Sequence, residues 1–184
     1  MKACLLVIDM QNDFLAAWDR AARQNLFAKT NELIGLFRQN ALEIIWVYQA
    51  FRANLSDAFL EMRDHHISNV IEGTEGAKVA SALDMQAHDT QILKKRYSPF
   101  FKTSLEEELA RLEPNLIVMA GVNTHACIRM AAIDAYQRDH RVVLASECIG
   151  SLQTEHAAVS LDYMKDKIAR VLENAEIGAL LREL

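Results

Sequence analysis

The stretch that most constrains the fold is Asn115–Gln137, NLIVMAGVNTHACIRMAAIDAYQ. Asn115–Ala120 is a short apolar run, Gly121 breaks it, and a helix-forming segment starts near Thr124. Such an order makes a buried strand that feeds directly into a helix. Cys127 falls three residues past Thr124, in what should be the first turn of that helix. Free backbone N–H groups and the positive end of the helix dipole favour a thiolate there, so the position suits a nucleophile. A cysteine in such a unit also packs well, so position alone does not assign it chemistry.

The same strand–helix alternation runs through the chain. Ala3–Ile8 is continuously apolar, as in a strand covered on both faces, and it ends on Asp9. MQNDFLAAW reads as a loop, and residues from about Asp19 to Asn40 carry Ala22, Leu26, Leu33, Leu36 and Phe37 at helical spacing. Leu42–Tyr48 is a second strand. Gln49–Lys78 has no strong period, with a short helix expected around Asp57–Arg63; a connection this long is a lid or pocket wall. Lys78–Leu83 should finish a short helix, and Thr90–Lys94 is a third strand stopped by Pro99 in KRYSPFF. Thr103 or Ser104 opens a helix with capping-box spacing to Glu106 or Glu107 and a Leu105, Leu109, Leu112 stripe. Leu116–Ala120 and Arg141–Ala145 are the fourth and fifth strands. Ala157, Leu161, Met164 and Ile168 mark the next helix, and a short sixth strand lies near Ala169–Leu172. A terminal helix bears Ile177, Leu180, Leu181 and Leu184. The pattern predicts one α/β domain over residues 1–184, three-layer α/β/α, with a six-stranded, mainly parallel Rossmann-like sheet.

Composition narrows the function. With 51% hydrophobic and 24% charged residues the chain can bury one substantial core. A net charge of −5 without a Lys/Arg run argues against a nucleic-acid partner. Cys4–Ile8 is too short for a membrane span and, with Asp9 behind it, fails as a signal peptide. Three separated cysteines form neither a disulfide framework nor a Cys-x-x-Cys metal pattern, which fits a cytoplasmic protein. No G-x-G-x-x-G or P-loop follows any predicted strand.

In an open parallel sheet, ligands bind outside the carboxyl ends of the strands. Asp9, a lysine of the pair Lys94–Lys95, and Cys127 all fall at such ends, and a central first strand would bring them to one crevice. Spacing does not choose between the lysines, because consecutive strand side chains face opposite ways. An ammonium would favour the thiolate, and Asp9 could move the proton between thiol and leaving amine. Backbone N–H groups at Asn123 and Cys127 would form an oxyanion hole.

LLVIDMQNDF, EGTEGA, KKRYSPFFKTSL and AGVNTHACIRMAAIDAY, in this order, resemble the isochorismatase-like cysteine hydrolases nearly end to end. The resemblance implies an Asp–Lys–Cys set of Asp9, Lys94 and Cys127, the lysine chosen by its distance from the Tyr-Ser-x-Phe element. It also implies a cis peptide at Val122–Asn123 and a homo-oligomer, dimer or larger. Cysteine rather than glycine at 127 favours hydrolysis of an amide, carbamoyl or ureido C–N bond through a thioester. The Asp-x-His pattern of metal-dependent nicotinamidases is replaced by Tyr48, Gln49, Ala50, Phe51 and Arg52, and adjacent His65 and His66 make a poor chelate; neither a metal nor a cofactor is expected. Arg52 is placed to bind a substrate carboxylate or ureido oxygen. Gln11, Phe14, Trp18, Tyr97 and His125 are candidates to wall the pocket, while Phe100 suits the core and Cys4 and Cys148 read as structural thiols. Two alternatives stay open: a vinyl-ether hydrolase using Asp9 as acid, and a binding or redox-sensing protein on the same fold.

Overall fold

The computed structural model describes residues 2–183. Six strands form one sheet: β1 (Ala3–Ile8), β2 (Glu43–Gln49), β3 (Thr90–Lys94), β4 (Leu116–Val122), β5 (Val142–Gly150) and β6 (Arg170–Leu172). Their order is β3-β2-β1-β4-β5-β6, and every neighbouring pair is parallel. β1 is therefore central, and strand order reverses beside it. All six of its residues are buried, which is why it reads as a continuous apolar run.

Alternate residues of β1 point into two separate cores. Ala3, Leu5 and Val7 meet Leu33, Ile34 and Phe37 of α2 (Arg20–Gln39) and Ile177 and Leu181 of α7 (Asn174–Arg182). Cys4, Leu6 and Ile8 meet α4 (Leu105–Leu112), α5 (Arg129–Tyr136) and α6 (Thr154–Met164) on the other face. The result is the expected three-layer α/β/α arrangement. Leu184 lies outside the described residues. Among the described residues no helix is long and apolar enough to cross a membrane.

Several boundaries differ from the sequence expectation, each for a local reason. The stretch after Asp9 holds a short helix, α1 (Asn12–Leu15), and the loop helix α3 spans Leu60–Asp64. Lys78–Leu83 forms no helix, because Val79 bridges Gln11 and Ala80 donates to the Met10 carbonyl at 2.9 Å. At the start of α4 the Thr103 hydroxyl accepts from Leu105 N–H at 3.1 Å, while the Ser104 side chain makes no cap bond. β5 runs on past Ala145 to Gly150 because its register with β4 shifts between Met119 and Gly121. The polar residues that hid this extension are tied down: Ser146 Oγ donates to Leu172 O at 3.1 Å, and Glu147 pairs with Lys29 at 2.7 Å.

Gly121 of β4 lies opposite Ile8 of β1 with no room for a side chain. Its φ is +127°, and a Cβ there would stand 1.9 Å from the Ile8 carbonyl oxygen. Gly121→Ala should therefore cost about 4 kcal/mol or more and lower the thermal midpoint by about 10 °C or more, measured by calorimetry. A shift of under about 2 °C would show that the strands can separate there without loss.

Candidate active site

The three reactive side chains converge outside the carboxyl end of the sheet. Asp9 follows the last residue of β1 with φ +55°, a turn out of the strand that is held by its N–H donating to Val47 O at 2.8 Å. Alternation along β3 buries Ile92 and Lys94 and leaves Leu93 exposed, so Lys94 and not Lys95 enters the site. β3 is positioned at its start by Asp89, which accepts two bonds from Arg38 at 2.9 Å each and one from Trp46 Nε1 at 2.9 Å. Cys127 lies in a π-helical turn, Thr124–Ile128, that joins β4 to α5. The Asn123 carbonyl accepts from both Ala126 N–H and Ile128 N–H across this turn, at 3.0 and 3.3 Å. The Val122–Asn123 peptide is cis.

Lys94 Nζ donates to Asp9 Oδ2 at 2.7 Å, to Arg96 O at 3.2 Å and to Cys127 Sγ at 3.3 Å. Lys94 is fully buried, Asp9 is 1% exposed and Cys127 4%. Gln49, the last residue of β2, completes the cluster. Its Nε2 donates to Asp9 Oδ2 at 3.1 Å and reaches Cys127 Sγ at 3.6 Å. Asp9 Oδ1 is buried and has no hydrogen-bond partner among the described residues.

The electrostatics differ from the sequence expectation. Burial pushes the Cys127 thiol well above its ordinary value and the Asp9 carboxylate adds to this; Lys94 opposes both without overcoming them. The resting sulfur is thus a thiol, where helix position and ammonium had suggested a thiolate. Burial alone would lower Lys94, but the Asp9 carboxylate and, once ionised, Cys127 raise it, and the amine is held as ammonium.

Cys4 and Cys148 are also buried, and burial pushes each thiol up to about 12. A folded thiol then keeps its proton at a pH where the unfolded one, near 9.0, has lost it. The folded state binds more protons, so stability falls as pH rises from about 9 towards 12, by up to about 1.4 kcal/mol per pH unit for each thiol. Urea unfolding at about pH 8 and pH 10.5 should show this loss, with a shallower slope in Cys148→Ala. An equal slope in that variant would rule Cys148 out as a source.

Above Cys127 lies a cavity of about 460 Å³. Asp9, Gln49, Asn123 and Cys127 form its reactive end, and Phe14, Phe51, Phe59, Met62, Val70, Tyr97 and His125 line the remainder. Phe51, Phe59, Met62 and Val70 come from the long β2–β3 connection, which is the pocket wall expected of it. Of the candidate binding residues, Phe14, Tyr97 and His125 are in the wall. His125 Nδ1 meets Ser151 Oγ at 2.8 Å.

Three candidates, Gln11, Arg52 and Trp18, are not. Gln11 is fully buried, and its amide is consumed by backbone: Nε2 donates to Gln49 O and Ala77 O at 2.6 Å each, and Oε1 accepts from Gln49 N–H at 2.8 Å. It positions Gln49 without lining the cavity. Arg52 is exposed and outside the cavity, at a turn where its N–H bonds Asp57 Oδ1 at 2.9 Å. Trp18 packs against Gly150, and Phe100 is in the core. Sequence reasoning noticed Gln49 only as a missing metal ligand. The available signal was a polar residue ending an otherwise apolar strand beside Asp9. Among the described residues, no three His, Cys, Asp or Glu side chains group as ligands for a metal ion.

A parallel three-layer sheet with an acid, an ammonium and a thiol buried together at its switch point defines a class of α/β proteins built for chemistry on small molecules. Within that class, the isochorismatase domain profile matches residues 3–176, and the chain belongs to the isochorismatase family of hydrolases. It is 33% identical over 168 residues to a "probable inactive nicotinamidase" of Arabidopsis thaliana, covering 86% of each chain. The structure of an isochorismatase family protein from Desulfovibrio vulgaris superposes with a TM-score of 0.89 at 24% identity, covering 98% of each chain. A Bacillus subtilis nicotinamidase/pyrazinamidase superposes with a TM-score of 0.81 at 26% identity, over 94% of this chain and 100% of that one.

Proposed function

We propose that this chain hydrolyses a C–N bond of a small amide, carbamoyl or ureido compound through a thioester on Cys127. The observation that carries the reading is a buried cysteine that shares Lys94 with a carboxylate whose second oxygen, Asp9 Oδ1, is unpartnered among the described residues. That oxygen is the acceptor for the thiol proton. As the proton leaves, Sγ attacks the carbonyl carbon, and the new oxyanion is met by the backbone N–H groups of Asn123 and Cys127. Lys94 stays protonated and bonded to both Asp9 and Sγ, so negative charge moving between them remains compensated. Gln49 and Lys94 hold Oδ2, which leaves Oδ1 free to accept a proton. Asp9 then gives its proton to the departing nitrogen, the C–N bond breaks, and ammonia or an amine leaves. Water then attacks the thioester as Asp9 takes its proton; the C–S bond breaks, the carboxylic or carbamic acid leaves, and Asp9 returns the proton to Sγ.

The similarity to a nicotinamidase supports an amide substrate, and the intact acid–ammonium–thiol cluster supports turnover despite the likeness to a relative described as inactive. The test is mass spectrometry of the protein mixed with a panel of small amides and ureides. An acyl adduct on Cys127, with release of ammonia or amine, is expected. Turnover of a vinyl ether with no adduct on Cys127 would replace this reading by proton transfer from Asp9 alone. Binding without turnover of any panel member would favour a non-catalytic role.

A further inference from the structure

Among the described residues, the wall of the cavity offers a ligand no positive side chain. Its charged members are Asp9 and Glu61. Asp9 is matched by Lys94 at 2.7 Å, so the uncompensated charge in the lining is that of Glu61, an exposed residue. The neighbouring cations pair with Asp57 and stack on the wall's own rings, Lys95 Nζ 5.7 Å from the Phe51 centroid and the Arg96 guanidinium 5.2 Å from that of Phe59. Lys95 pairs with Asp57 at 2.8 Å, Arg96 Nη1 donates to Asp57 O at 3.0 Å, and Arg52 stands outside the cavity. His125 does not replace them, because burial and the nearby His156 hold its imidazole below the usual range and leave it neutral at pH 7.

A carboxylate entering this space would lose water, find no cation and face Glu61, which is unfavourable on both counts. The aromatic wall favours the opposite character. Phe59 and Tyr97 have ring centroids 4.9 Å apart, and Phe51 meets Phe59 edge-on at 5.8 Å. Such faces take an apolar body.

We propose that the pocket selects amides whose body is apolar and carries no negative charge, with a neutral or positive group at the end that reaches Glu61. The inference rests on the amide-hydrolase reading, and it makes Glu61 a specificity residue. Three primary amides of similar size test it: benzamide, para-carbamoylbenzoate and para-(aminomethyl)benzamide. Binding is measured by calorimetry on the Cys127→Ala protein, and turnover by ammonia release from the unaltered protein. The carboxylate should bind, and be hydrolysed, at least about tenfold less well than the neutral amide, with the ammonium compound equal or better. Glu61→Lys should narrow or reverse that order. Equal binding of the carboxylate, an order unchanged in Glu61→Lys, or no binding of the two carboxylate-free amides overturns the proposal. The expected binding order without any ammonia release would uphold the charge selection and remove the hydrolase reading on which the substrate assignment stands.

Discussion

Cys127→Ala is expected to lower amide turnover by roughly 10⁴-fold or more while leaving the protein folded and able to bind substrate. The size follows from the proposed route: without Sγ there is no thioester, and what remains is binding plus oxyanion stabilisation. The fold should tolerate the change to within about 1 kcal/mol, because the thiol is small and is held in a disfavoured environment by burial and by Asp9. The measurement is steady-state ammonia release set beside calorimetric affinity for the same amide. A large fall in kcat with affinity preserved supports covalent chemistry. A fall in affinity with kcat preserved would assign Cys127 to binding. Substantial residual kcat would move the chemistry to Asp9 and a water.

The second large effect concerns stability. Lys94→Met would leave the Asp9 carboxylate buried without its counter-charge, at a cost of about 3–5 kcal/mol. Lys94 Nζ bridges Asp9, Cys127 and the Arg96 carbonyl, so its loss strips partners from all three together. Asp9→Asn with Lys94→Met in one chain should recover most of that stability, because the charge that needed compensation is gone. Urea denaturation of the single and double variants measures both. If the single variant lost less than about 1 kcal/mol, the pair would not be behaving as a desolvated ion pair. Neither variant should turn over an amide, so stability and activity separate cleanly in the double variant.

Much of this was readable from the chain, and the limits have physical causes. Strands covered on both faces write themselves as unbroken apolar runs, which is why β1 was found end to end. Asp9 is visible because it stands directly after such a run, and Cys127 because it opens the helical segment that follows one. The lysine was ambiguous on spacing alone; the buried, exposed, buried sequence of Ile92, Leu93 and Lys94 is what separates it from Lys95. β5 was cut short because Ser146 and Glu147 interrupt its apolar pattern, and their partners lie on remote elements. Arg52 and Gln11 were misplaced because they sit in connections with no period, where only tertiary hydrogen bonds fix direction. The thiol's resting state was also out of reach. A helix start and an ammonium are local signals, whereas the burial that outweighs them is set by the whole fold.

Phe51, Leu55, Ala58, Met62 and Val70 form an apolar cluster of their own, apart from the two that flank the sheet. Segments that carry their own packing can exchange side chains with near-additive effects on the rest of a protein. The β2–β3 connection is thus a cassette for evolution. Its aromatic and acidic residues can be reshuffled to admit different substrates without reaching the ion pair beneath. One tie to the site is Ala77, whose carbonyl is bonded through Gln11 to the end of β2. Insertions should be tolerated between Arg52 and Asn69 and resisted around that clasp, so lineages diverging in substrate would be expected to differ in length before it and not at it.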